Sequence, residues 1–124
     1  MNDIQTEGDI KILVDKFYQK VLADPVIGFI FTEIVVLSWE QHIPIMNSFW
    51  SSLLLGSNTY NGNPMIKHME LNKRMPLTKV HFDRWLQLWE STVNENFIGA
   101  KANEAITRAQ NIAALMHHKM EKQE

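Results

Sequence analysis

Apolar residues recur at helical spacing along most of the chain, and the polar breaks between the runs predict where each helix starts and stops. Ile10, Leu13, Val14, Phe17 and Val21 fall on one face, with the period near 3.6 that marks an amphipathic helix. Thr6-Glu7-Gly8-Asp9 ahead of them has the form of a capping box, and Asp24-Pro25 behind them ends the helix. Tyr18 lies at the margin of the stripe, about 80° round from Ile10 at roughly 100° per residue. On this helix alone it reads as a boundary tyrosine with a buried ring and a hydroxyl that needs a partner.

Val26 to Ile34 is short and carries Phe29, Ile30 and Phe31 after Gly28, which predicts a helical turn or two placing one aromatic ring against the core. Ser38-Trp39-Glu40-Gln41 is a second capping box, opening a helix to about Leu55 that Gly56 closes. On it His42, Ile45, Met46, Phe49 and Leu53 share about 100° of arc. Ile43, Trp50 and Leu54 form a second apolar strip, so this helix packs in two directions. Pro44 stands about one turn in, where it deletes a hydrogen bond and invites a kink.

Asn61-Gly62 is strong turn chemistry, and Asn63-Pro64 reads as an N-cap with proline at the first helical position. A short helix follows, held before Asn72-Lys73-Arg74-Met75-Pro76, and it carries His68. A histidine on about two turns of helix between two breakers presents an imidazole at a fixed angle, as a metal ligand requires. Among Met65, Ile66, Met69 and Leu71, though, the plain reading is a hydrogen-bonded core histidine.

Thr78 caps a long helix to about Phe97, with Phe82, Trp85, Leu86, Trp89, Val93 and Phe97 within roughly 120°; His81 lies one residue off that stripe and reads as solvated. The last helix, roughly 101 to 120, puts Ala102, Ala105, Ala109, Ile112, Ala113, Met116 and Met120 on one face, its alanines permitting close approach by a neighbour. His117, His118, Lys119 and Lys122 follow where the helix dipole favours cations. The pattern is all-α: four main helices and two short ones in one domain over residues 1–124.

Composition narrows the chemistry. There is no cysteine, which removes thiolate metal sites and disulfides and leaves imidazole and carboxylate as ligands. A formal net charge of −2 supplies no basic surface for nucleic acid. The start of the chain lacks the basic, then apolar, profile of a signal peptide, and no apolar run is long enough to span a bilayer; the expectation is a cytoplasmic protein. A di-metal carboxylate bundle would need Glu-x-x-His pairs, and none occurs. What remains is a set of donors, Tyr18, His42 and Trp85, from three helices, with His68 on a fourth segment. A flat apolar cofactor with a central metal needs one axial imidazole, apolar walls and a few donors on its other side. The competing reading is a helical sensory or interaction module that holds no such cofactor.

The sequence resembles the truncated haemoglobins, and within them the group III (P-type) branch of the two-over-two globins, over nearly its whole length. The resemblance is carried by Phe17-Tyr18, His42 eight residues before Trp50, and the run Phe49-Trp50-Ser51-Ser52-Leu53-Leu54-Leu55-Gly56. Tyr60-Asn61-Gly62-Asn63-Pro64, Lys67-His68 and Phe82-Asp83-Arg84-Trp85-Leu86 complete it. It implies a two-over-two helical sandwich around haem b (iron protoporphyrin IX), with His68 as the proximal iron ligand. Tyr18, His42 and Trp85 then correspond to the distal tyrosine, the distal gate and the distal-side tryptophan. Phe31, Met46, Phe49, Leu53, Phe82 and Met116 are apolar wall candidates, and Lys67, Lys73 or Arg74 are candidates to meet a propionate. The resemblance implies diatomic ligands (dioxygen, nitric oxide, carbon monoxide) or peroxide, a reductase partner, and a monomer or weak dimer. A pocket with two strong donors implies tight holding or chemistry, such as nitric oxide dioxygenation or peroxide reduction, rather than transport. Pro44 and Asn72-Lys73-Arg74 depart from the family pattern.

Overall fold

A computed structural model describes residues 1–34, 39–57, 60, 72 and 75–122, without the side chains of residues 39 and 122. The His68 segment, with the Asn61-Gly62 bend, Lys67, Lys73 and Arg74, lies outside the described residues, as does Ser38.

Helix α1 (Glu7–Ala23) starts where the capping pattern puts it: the Asp9 N–H donates to Thr6 Oγ1 at 3.2 Å, and the Thr6 N–H donates back to Asp9 Oδ2 at 3.1 Å. All five residues of its stripe are sealed from solvent; burying an aliphatic or aromatic side chain of this size contributes about 1.5–3 kcal/mol. At the far end Asp24 leaves the helix in extended conformation. Its carboxylate accepts from the Val26 and Ile27 N–H groups at 3.0 and 3.1 Å. That bends the chain into a π-helical turn, Ile30–Ile34, in which Ile30 is buried and Phe31 packs against the core, while Phe29 just before it faces out.

Helix α2 (Trp39–Leu55) includes Pro44 without interruption, and Pro44 sits on its exposed side. Its two strips differ in kind. Trp50 and Leu54 are buried, whereas Met46, Phe49 and Leu53 are only half-buried. Gly56, with φ of 72°, closes the helix as expected.

Helix α3 (Lys79–Asn96) and helix α4 (Ala100–Lys122) are joined by three residues and pack on each other. Ala102, Ala105, Ala109 and Ala113 are buried at that contact face, and the closeness lets the Trp89 indole N–H donate to the Ala105 carbonyl at 3.1 Å. His81 stays at the surface, but its ring is engaged: Nδ1 accepts from the Thr78 N–H at 3.0 Å, securing the helix start. Leu88 and Thr92, off the expected stripe, are also buried, so α3 is covered over a wider arc than its apolar pattern suggests.

Helix α1 packs on α2 and α3 on α4, with α1 against α3 and α2 against α4 tying the pairs together. This is the two-over-two sandwich, all helical among the described residues. One contact was not anticipated. The N-terminal strand-like segment docks on the α3–α4 junction, with Ile4 buried and Asp3 accepting from the Lys101 and Ala102 N–H groups at 2.9 and 2.8 Å. Asp3 thus caps the helix most distant from it in sequence, satisfying orphan donors and placing a negative charge at the positive end of the dipole.

Candidate functional site

The donors picked out of the sequence converge. Tyr18 projects from α1 toward α2, where its hydroxyl and His42 Nε2 lie 3.1 Å apart and the two rings meet edge to face at 5.3 Å. Phe31, delivered by the π-helical turn, packs its edge on Tyr18 with centroids 6.3 Å apart. Trp85 reaches the same region from α3. It shares Phe17 with Tyr18, the Phe17 ring standing 5.1 Å from Tyr18 and 5.8 Å from Trp85. Phe17 belongs to the core stripe and to the Phe17-Tyr18 pair that carries the resemblance; that it also bridges Tyr18 and Trp85 follows from the packing of α1 on α3 and not from its spacing.

Burial sorts the apolar residues into two layers. Phe17, Trp50, Leu54 and Trp89 are sealed, while Phe31, Met46, Phe49, Leu53 and Trp85 pack against them and, like Phe82, keep part of their surface accessible. Tyr18 is surrounded by protein and also keeps accessible area, as a group facing an internal space does. Burial pushes its hydroxyl well above the ordinary phenol range, so it is a neutral O–H, able to donate. The Trp85 indole N–H donates to no group among the described residues, in contrast to that of Trp89.

Of the remaining wall candidates, Met116 is buried on α4, and Phe82 lies beside His117 with ring centroids 5.5 Å apart. His117 is also paired with Glu121 at 3.1 Å. His68 lies outside the described residues, so its relation to this wall is not among the structural findings. No group of three or more His, Cys, Asp or Glu side chains that could hold a metal ion occurs among the described residues.

One supporting pair was invisible in the chain. Asp24, its side chain only 2% accessible, receives the Arg84 guanidinium at 2.8 Å from Nε and 2.6 Å from a terminal nitrogen. Burial by itself would raise the Asp24 carboxyl, but Arg84 and the two backbone N–H groups outweigh it and hold the group below its usual range. The pair fixes the turn that delivers Phe31 to the residue preceding Trp85.

Aromatic walls, an enclosed neutral phenol, an imidazole and an undirected indole N–H suit a flat apolar macrocycle with a small polar ligand on one face. Helical pairing and donor set together define the globin class. The family model of the bacterial-like globins matches residues 2–121. A group 3 truncated hemoglobin of Campylobacter jejuni is 34% identical over 111 residues, which span 87% of this chain and 85% of that protein. The crystal structure of group III truncated hemoglobin from Campylobacter jejuni superposes with a TM-score of 0.84 at 31% identity, covering 97% of this chain and 95% of that one. The chain belongs to the bacterial-like globins and, within them, to the group III truncated haemoglobins. Family membership makes haem its class of cofactor and small diatomic molecules its class of ligand. Among the described residues no helix is long and apolar enough to cross a membrane.

Proposed function

We propose that this globin binds haem b through His68 and uses Tyr18, His42 and Trp85 to hold and polarise a small ligand for chemistry rather than transport. The supporting observation is the contact between the Tyr18 hydroxyl and His42 Nε2 at 3.1 Å, with the Trp85 indole nearby across Phe17. When bound, haem would supply an iron able to take an imidazole and a small exogenous ligand. Every other function falls to the chain. Phe31, Met46, Phe49, Leu53, Phe82 and Met116 exclude water from the faces of the macrocycle. His68 provides the imidazole.

Tyr18 and Trp85 provide O–H and N–H donors toward a ligand that carries partial negative charge. Each such charge-assisted bond contributes on the order of 1.5–3 kcal/mol, so two together slow ligand escape by roughly a hundredfold or more. A carrier with that retention releases poorly, which favours oxidation of nitric oxide by dioxygen or reduction of peroxide as the working chemistry, with electrons from a separate reductase. His42 sets the direction of the phenol: accepting at Nε2 it takes the Tyr18 O–H for itself, and donating from Nε2 it leaves that O–H to point at the ligand.

Absorption spectra of the ferric, ferrous and carbon-monoxide forms of the wild type and His68→Ala test the assignment. A Soret band in the wild type that is lost or shifted to a non-histidine form in the variant is the expected result. An unchanged spectrum in the variant would remove His68 from the site.

A further inference from the structure

Three of the four tryptophans and both tyrosines of this chain lie in one continuous run of aromatic contacts. Trp85 and Trp89 are parallel within 5° with centroids 6.2 Å apart, and Trp89 and Trp50 are stacked at 4.3 Å. Phe49 stands 5.4 Å from Trp50 and 5.2 Å from Tyr60, and Phe17 joins Tyr18 to both Trp85 and Trp89. The run therefore starts beside the Tyr18–His42 contact, crosses the core between α3 and α2, and ends at the half-buried phenol of Tyr60.

Packing alone needs large side chains at these positions, but not easily oxidised ones. Leucine, methionine or phenylalanine would fill the same space. Indole and phenol are the two aromatic side chains that lose one electron readily, and here the three indoles follow one another ring to ring, with the single ring of Phe49 between Trp50 and Tyr60. The environment of the middle member suits such a role. The buried Trp89 N–H is bonded to a backbone carbonyl at 3.1 Å, a very weak base, so a Trp89 that has lost an electron keeps its proton and is refilled by its neighbour.

We propose that the Trp85–Trp89–Trp50 stack conducts single electrons inward from Tyr60 to the pocket when peroxide reacts there, making Tyr60 a second, remote oxidation site for one-electron phenolic donors. The proposal rests on the haem reading given above, which places peroxide in the pocket. In balance, hydrogen peroxide takes up two electrons and two protons and leaves as two waters. Each electron lost at Trp85 is replaced from Trp89, then from Trp50, then across Phe49 from Tyr60, which releases its phenolic proton to solvent. An external phenol returns one hydrogen atom to Tyr60 and departs as a phenoxyl radical, so one peroxide consumes two phenols.

Haem-loaded protein treated with hydrogen peroxide and freeze-quenched for electron paramagnetic resonance, with peptide mapping of oxidised residues, tests this. The wild type is expected to give a tyrosyl signal absent in Tyr60→Phe, together with oxidation marks on Tyr60. Trp50→Phe, away from the pocket wall, is expected to cut that signal severalfold and move the marks onto Trp85 and Trp89. Should that variant not fold by circular dichroism, Tyr60→Phe carries the same test, since oxidation must then stop on Trp50. A normal Soret band with a Tyr60 signal equal in wild type and Trp50→Phe, or with no mark on Trp50 in Tyr60→Phe, would overturn the relay alone. Absence of any Soret band in the wild type would overturn the haem reading and the relay's source together.

Discussion

At the scale of single residues, two buried or half-buried groups are each held in one protonation state by their surroundings. Tyr18 is kept neutral by burial, so it is a donor throughout the physiological range. Tyr18→Phe deletes that donor and little volume; dioxygen dissociation should accelerate about tenfold or more, as loss of one charge-assisted hydrogen bond implies. Stopped-flow ligand displacement measures it, and an unaltered rate would mean that the hydroxyl serves only His42. Asp24 is the opposite case, held ionised by Arg84 and two N–H donors against the burial that opposes charge. Because its folded-state value is depressed, its contribution is complete above the unfolded carboxylate value of about 3.9 and is lost as the pH falls through the lower folded value. Asp24→Asn should therefore lower the thermal midpoint at neutral pH and make the decline on acidification shallower than in the wild type. Parallel acid limbs for the two proteins would show that the pair adds no pH-linked stability.

At the scale of elements, the sequence was most legible where a helix's fate is local. The α1 stripe, the Thr6 cap, the Gly56 stop and the alanine face of α4 follow from spacing and capping chemistry, and each stands where expected. What spacing could not convey was pairing across the chain. Asp3 bonds to Lys101 and Ala102, and Asp24 to Arg84; no periodicity links such partners. Wheel geometry likewise grouped Trp85 with Trp89 on one stripe. Which of the two is sealed and which keeps accessible surface depends on α1 and α2, not on α3 itself. The His68 segment, the first candidate by turn chemistry, lies outside the described residues, so for it the local reading stands without a structural counterpart.

The Asp3 cap yields a test of its own. Gly99 has φ of 135°, and a Cβ there would come within 2.6 Å of Asp3 Cγ. Gly99→Ala should destabilise by on the order of 1–3 kcal/mol from backbone strain alone, with detachment of the N-terminal segment in addition. Asp3→Ala separates the two effects, since it removes the cap and leaves the glycine; about 1 kcal/mol is expected from the lost capping bonds. Denaturant unfolding measures both, and a Gly99→Ala protein as stable as wild type would mean that the segment is not docked there.

At the scale of the whole molecule, the sandwich is built in two qualities of packing. Between α1, α3 and α4 the side chains are sealed: Ile10, Leu13, Val14, Trp89, Val93, Ala105 and Ala109 are all 0% accessible. On the inner strip of α2 and around Tyr18 they are apolar but half-buried. Apolar surface of that kind gains free energy when something covers it, and a group that binds the folded state alone stabilises it by mass action, about 4 kcal/mol at a thousandfold excess over its Kd. In a domain of this size that corresponds to a rise in thermal midpoint on the order of ten degrees. Haem titrated into haem-free protein should therefore raise the midpoint by that order, and Leu53→Asp, which places a charge on the half-buried strip, should reduce the rise severalfold. Glu104→Gln, on the outer side of α4 in a surface pairing with Lys101 and Arg108, should leave the rise intact. A midpoint indifferent to haem, or a rise as large in Leu53→Asp as in the wild type, would place the macrocycle somewhere other than this wall and separate the family's cofactor from the strip of α2 that the burial pattern selects for it.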